Sequence, residues 1–196
     1  MSTDDHDEST NDVSGFVMTE LPLQAECEVN RAARAAWRDP LQYRRECLPV
    51  GSRGRLVLNE VARRSDWSRT PPAGVARGVA MGEAEGAWMA MVAEVSGDSA
   101  GTRVRRLVVA VDCGPIIDNH DARRAVLSGM QAGLRAAVDD ADAVPMEVWW
   151  VCGGDVPGRG GLAIARRTVA PAIANALSAL HTGRARTRAL AALSAV

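Results

Sequence analysis

The chain contains no lysine; all 23 of its basic side chains are arginine. That absence excludes a Schiff-base lysine and the phosphate-gripping lysine of a P-loop. Aromatic residues are scarce as well, with one Phe, one Tyr and five Trp. No basic stretch is interleaved with the aromatic side chains on which nucleotide bases stack. Excess charge of one sign is missing too. The 24 acids offset the bases to a net charge of -1, which leaves no global field to draw nucleic acid or an anionic membrane. No window approaches the ~20 apolar residues of a membrane-spanning helix. The four cysteines, Cys27, Cys47, Cys113 and Cys152, form no C-x-x-C pair, so the usual spacings of zinc and iron–sulfur sites are lacking. They read as small core residues of a reducing compartment, with Cys113 the one worth testing as a thiol. The first residues are acidic and polar, unlike a signal or transit peptide. Cytoplasm is the expected location, with neither membrane nor nucleic acid as a partner.

What is present describes an ordinary globular chain. With 196 residues, 47% hydrophobic and 24% charged, it is long enough to bury a core as one domain. Residues 1–14 carry many acids and no apolar cluster, which predicts a disordered, dispensable tail. Residues 15–196 form the domain. Residues 16–18 read as a short strand. Leu21, Ala25, Val29, Ala32, Ala33 and Ala36 then recur at helical spacing, with Pro22 suited to a first turn. Asp39-Pro40 reads as an N-cap followed by proline at the first helical position, opening a helix through Tyr43 and Cys47. Ser52 precedes a third helix with Leu56, Val57, Val61 and Ala62 on one face.

Past the turn cluster at residues 70–74, the pattern changes to strands. The apolar run at residues 87–93, a connector at 97–101 and the stretch 104–112 suggest a hairpin. Residues 122–138 read as helix, 146–152 as strand and 169–180 as helix. The rhythm is not strictly βαβ, so the expected class is α+β, a mixed sheet with packed helices.

Several motifs then occur in a telling order. Asp39-Pro40-Leu41-Gln42-Tyr43-Arg44 fits D-P-x-x-[FY]-R. Residues 58–67 read as a helix ending at a tryptophan. A strand pair ends in Ala-Glu94-Val95, Ala110-Val111-Asp112-Cys113-Gly114 reads A-V-D-C-G, and residues 169–176 read VAPAIANA after a glycine-rich loop. This series resembles the molybdenum hydroxylase family of xanthine dehydrogenases and aldehyde oxidases. The part it resembles is the second molybdopterin-binding subdomain of the large subunit, in the isoquinoline-oxidoreductase-like aldehyde dehydrogenase branch. The resemblance covers nearly everything after the acidic tail and implies a shortened version of that fold.

Set against the family pattern, the catalytic positions depart. Counting back from Pro171 puts Ala163 where the family carries its catalytic glutamate. Ala125 stands where a glutamine contacts the cofactor, and Ser128 replaces the first glycine of a pair whose second is Gly129. An acidic linker at residues 139–142 replaces a long excursion, and the family's first cofactor-cradling half is not represented. A methyl group cannot take up a proton, and a positioned base is worth roughly 10²–10⁴-fold in rate. Asp155 is the one acid close enough in sequence to substitute.

The resemblance implies Gly82, Glu83, Gly129, Gly160 and Gly161 as cofactor-binding positions and offers no catalytic or metal-ligating residue. The glycines at 153–154 and 158–161 either bring backbone amides to a pterin pyrophosphate or are turns with no ligand. Glu83 and Glu85 read as a solvated turn, since anions beside an oxo-molybdenum anion repel. His120 and His181 are isolated and read as surface or capping residues. Arg184, Arg186 and Arg188 form a basic end without aromatics.

Two readings follow from the resemblance. The first is a degenerate fragment or paralogue of a molybdopterin-dependent oxidoreductase, a pseudoenzyme acting through a hydroxylase subunit or its own copy. The second is half of a split hydroxylase that oxidises an aldehyde or N-heterocycle with a separately encoded first half. Trp88, Met89, Met91, Trp149 and Trp150 are the expected apolar contact surface.

Overall fold

The computed structural model describes residues 23–98, 101–115, 119–153 and 157–194. The expected disordered tail and the strand expected at 16–18 lie outside them. Three helices come first: α1 (Leu23–Ala35), α2 (Pro40–Glu46) and α3 (Arg53–Arg64). Three strands follow, β1 (Val75–Ala84), β2 (Ala87–Asp98) and β3 (Gly101–Asp112), then α4 (Asn119–Ala137), β4 (Met146–Trp150) and α5 (Gly161–Ser194). The sheet runs in the order β1-β2-β3-β4. Its first three strands are antiparallel, and β4 lies parallel to β3 after the α4 crossover. The class is α+β with a mixed sheet, as expected.

Local chemistry sets the early helix starts. The Asp39 carboxylate accepts from the N–H groups of Leu41 at 3.0 Å and Gln42 at 2.9 Å, with Pro40 following it in the first turn. Ser52 Oγ accepts from Arg55 N at 3.3 Å at the start of α3. These side chains satisfy N–H groups that have no partner inside the helix. Trp67, just past α3, donates its indole N–H to the same Asp39 carboxylate and so ties the end of α3 to the start of α2.

The sheet is covered on both faces. Met89, Met91, Leu107, Val109 and Val111 point to the layer of α4 and α5, together with Val126, Met130, Leu134, Val169 and Ile173. Val79, Met81, Val92, Val108 and Ala110 face Leu41, Val57, Leu58 and Val61 of α2 and α3. Trp149 packs on the second layer and Trp150 on the first, as expected for neighbours on a strand. This corrects the expected apolar contact surface. Met89 and Met91 are fully buried under this chain's own helices. Trp88 is half-buried, with its ring lying where a Cβ on Gly54 would sit.

Close backbone approach fixes the position of α5. A Cβ on Gly78 in β1 would lie 2.1 Å from Ala176 N and 2.5 Å from Ala172 O. Gly129 and Gly133 play the same role in α4, where a Cβ would meet the carbonyls of Leu162 at 2.4 Å and Arg166 at 2.5 Å. α5 is also longer than expected. It starts at Gly161 rather than at residue 169 and carries Pro171 inside it.

The buried face of α1 is a second correction. Ala32 and Ala36 are exposed, while Glu26, Asn30 and Ala33 are buried. The helix turns a polar stripe inward because Arg44 of α2 is waiting for it, as described below.

At one end of the α3 face, the four strands carry Arg77, Glu94, Arg106 and Glu147 as a ladder of alternating charge. Arg77 also donates to the carbonyls of Asp66 at 2.7 Å and Arg69 at 2.8 Å, and Arg106 donates to Ser65 O at 3.4 Å. Both cations therefore sit at the C-terminal end of α3, where the helix dipole favours positive charge.

Candidate functional site

The residues singled out by sequence gather where the β1–β2 turn, the loop after β3 and the loop before α5 meet. The turn is Glu85-Gly86, with φ of 48° and 76°, the geometry of a two-residue hairpin whose backbone twist suits antiparallel strands. Gly82, Glu83 and Ala84 belong to β1 rather than to a loop. Glu83 Oε1 accepts from Gly86 N at 2.8 Å, so one of the two carboxylates is spent on the turn itself.

The glycine-rich segment locks onto this turn. Gly158 N donates to Cys113 O at 2.7 Å, and Arg159 N donates to Glu85 O at 3.1 Å. A Cβ on Gly160 would lie 2.1 Å from Ala84 O, and one on Gly158 would lie 2.5 Å from Gly86 O. On Gly161 it would meet Cys113 Sγ and Val126 Cγ2, each at 3.4 Å, and on Gly82 it would meet Ile164 Cδ1 at 3.7 Å. The Cβ direction of each of these glycines, Gly129 included, points at this chain's own atoms. Ala163 is half-buried in the first turn of α5, beside the half-exposed Leu162, and Ala125 is half-buried in α4.

Asp112 is the electrostatic centre of this end. It is fully buried and accepts from Arg53 Nε at 2.9 Å, Arg53 Nη2 at 3.1 Å, Gly114 N at 2.8 Å and Gly153 N at 3.1 Å. Burial alone would raise its carboxyl pKa. The hydrogen bonds from Arg53 and Gly114, the Arg53 charge and the Gly153 amide outweigh burial and hold it below the usual carboxylate range. Cys113 beside it is buried, and burial followed by the Asp112 charge pushes its thiol upward against the pull of Arg53. That environment suppresses a thiolate. Cys113 does pack as a core residue, whereas Cys47 and Cys152 are exposed and Cys27 is half-buried, which corrects the core reading for those three.

A second polar centre was not visible in the sequence. Glu26 of α1 and Arg44 of α2 are 2% and 1% exposed. Arg44 donates from Nη2 at 2.8 Å and Nε at 3.2 Å to Glu26 Oε2, and also to Glu26 O and Pro40 O. Met81 N of β1 donates to the same Oε2 at 3.1 Å. Oε1 is buried and has no hydrogen-bond partner among the described residues. Glu26, Gly82, Glu83, Ile164, Arg167 and Thr168 line a cleft of about 20 Å³ here, together with Met81, Ala84 and Pro171.

His120 is exposed in the first turn of α4, with Nδ1 4.0 Å from Asp121 Oδ1, and His181 is exposed on α5. Asp155 and the side chains of Arg184, Arg186 and Arg188 lie outside the described residues. Among the described residues, no group of three or more His, Cys, Asp or Glu side chains is placed to hold a metal ion. No described helix is long and apolar enough to cross a membrane.

With this geometry in hand, comparison with known proteins is informative for fold. No family model and no curated protein matches the sequence. Solved structures do match. The aldehyde oxidoreductase from Desulfovibrio desulfuricans ATCC 27774 aligns over 79% of this chain and 38% of its own length, with a TM-score of 0.57 at 10% identity. The fold is that of part of a molybdenum hydroxylase. Quinoline 2-oxidoreductase from Pseudomonas putida 86 aligns over 50% of this chain and 16% of its own, at TM-score 0.42 and 16% identity. The aldehyde oxidoreductase from Desulfovibrio gigas aligns over 47% and 13%, at TM-score 0.41 and 18% identity. The chain therefore spans less than half the length of each of these three structures.

Proposed function

We propose that this chain is a molybdenum-hydroxylase-type domain without independent catalysis, and that it acts through a partner: a large subunit of that family or a second copy of itself. The observation that carries the reading is Ala163. Counting back from Pro171 in the motif resemblance gives it the place of the family's catalytic base; it lies in the first turn of α5, with a side chain that can neither accept nor donate a proton. Ala125, at the position of a cofactor-contacting glutamine, supports the same reading.

The described residues of the isolated chain do not fit a molybdopterin. The positions that a Cβ would take on Gly129 and Gly160 are filled by the carbonyls of Leu162 and Ala84, so these glycines serve packing within the chain. The cleft beside Gly82 and Glu83 has a volume of about 20 Å³, the size of a water rather than a pterin. Contact of Gly82, Glu83, Gly129, Gly160 or Gly161 with the cofactor would require an assembled state in which a partner reshapes this end. The cytoplasm is the compartment proposed, on four cysteines that form no disulfide.

The test mixes the purified chain with a large subunit of a molybdenum hydroxylase and follows sedimentation and turnover together. A complex, or a dimer of the chain alone, without new turnover is expected. Oxidation of an aldehyde or N-heterocycle that appears only on mixing with a first-half subunit would replace this reading with the split hydroxylase. A monomer that joins neither partner would remove the partner claim.

A further inference from the structure

Two cysteines flank the place where β3 and β4 end. The parallel register pairs Val111 with Trp150, and Val151 N donates to Val111 O at 2.9 Å. Gly153 N is held in turn by Asp112 Oδ2 at 3.1 Å. Cys152 is therefore fixed between two anchors on residues 111 and 112, which sets it opposite Cys113 on the neighbouring strand end. Adjacent strands run about 4.7–4.9 Å apart, inside the Cα separation of roughly 4.4–6.8 Å that a disulfide spans. Side-chain alternation adds direction. Asp112 turns toward Arg53 of α3, and a Cβ on Gly153 would meet Leu56 and Arg53 of the same helix. Cys113 turns the other way, into the core beneath α4 and α5, and alternation gives Cys152 that side too.

The two thiols differ in access. Cys113 is 7% exposed, whereas Cys152 is exposed. Burial holds Cys113 in the thiol form, so Cys152 is the sulfur that meets a reagent from solution first.

We propose that Cys113 and Cys152 are a redox-modified pair, joined reversibly into a disulfide by hydrogen peroxide. Cys152, as thiolate, attacks one peroxide oxygen. The O–O bond breaks, and the leaving hydroxide takes up the proton that the thiol gave, forming water. Cys113 then attacks the sulfur of the Cys152 sulfenic acid. The S–S bond forms, the S–O bond breaks, and the second hydroxide leaves with the Cys113 proton as water. Two thiols lose two electrons, and one peroxide becomes two waters. A small thiol reductant reopens the bond by exchange, as suits a transient disulfide in a reducing compartment. The closed bond fastens the end of β4 to the loop after β3, beside the Asp112 centre, and its formation is independent of any partner subunit.

The test uses the full chain, reduced and then treated with one equivalent of hydrogen peroxide. Trypsin can cut this chain only at arginine, so the two cysteines fall on separate peptides, residues 107–123 and 136–159. Mass spectrometry without reductant should find these peptides joined within a single chain, and dithiothreitol should separate them. The two thiols of the pair should be lost, with Cys27 and Cys47 still titratable. Cys152→Ser, a change at an exposed position, should abolish the link and leave Cys113 reduced at the same peroxide dose. Cys47→Ser should leave the link intact. Cys152 left unlinked, carried on to a sulfinic acid, or joined to a second chain would overturn the proposal.

Discussion

Glu26 Oε2 accepts the N–H of Met81 at 3.1 Å, so a carboxylate on a helix ends the hydrogen-bond ladder of an edge strand. Further along β1, Asn175 Nδ2 of α5 donates to Val79 O at 3.0 Å. Two outward groups of this edge, Met81 N and Val79 O, are thus answered by side chains of two flanking helices. Such capping blunts the tendency of an open edge to recruit another strand. It also explains why polar residues occupy the buried sides of α1 and α5.

Removing one partner of the Glu26–Arg44 pair should be severe. Both side chains are almost wholly buried, and a buried charge left alone costs about 3–5 kcal/mol. Glu26→Met and Arg44→Met should each lose that much in urea denaturation. The paired replacement Glu26→Met with Arg44→Met should lose clearly less than the sum, because no charge is stranded. Additive losses would show that the two residues do not act as a pair.

Glycine substitutions should separate close packing from mere flexibility. Gly78→Ala would place a methyl 2.1 Å from the Ala176 nitrogen, a backbone atom that cannot step aside, and a loss of roughly 3 kcal/mol or more, or failure to fold, is expected. Gly183→Ala on α5 has nothing within 4 Å and should gain about 0.5–1 kcal/mol from helix propensity. Circular-dichroism melts of the two variants decide the matter. Equal effects would contradict the assigned role of Gly78.

The uneven legibility of the sequence has the same physical origin. Asp39-Pro40 and Ser52 could be read because an N-cap acts on amides two or three residues away. The α+β class followed from apolar runs that need no partner to be recognised. Glu26 gave no local signal, since its partners Arg44 and Met81 lie 18 and 55 residues away. Gly160 and Gly161 suggested a loop because glycine serves both flexible turns and close contacts. Here they lie against Ala84 O, Cys113 and Val126. Met89 and Met91 looked free to bind a partner because nothing near them in sequence reveals that α5 covers their face.

Asp112 should give the chain part of its resistance to acid. Its folded pKa lies below the usual carboxylate value, so its contribution is fully present above the unfolded value near 4 and is lost as pH falls through the folded one. Asp112→Asn should destabilise the protein at neutral pH by about 2–3 kcal/mol. It should also flatten the decline in stability below about pH 4. Denaturation at a series of pH values checks both. An unchanged acid limb would mean that other carboxylates carry it.

The most direct measurement is the molybdenum and pterin content of the chain purified alone from cells that make the cofactor. Ala163, Ala125 and the carbonyl-filled glycine sites lead to an expected result of no molybdenum by elemental analysis and no pterin fluorescence above background. Molybdenum in stoichiometric amount, retained through purification, would contradict the account.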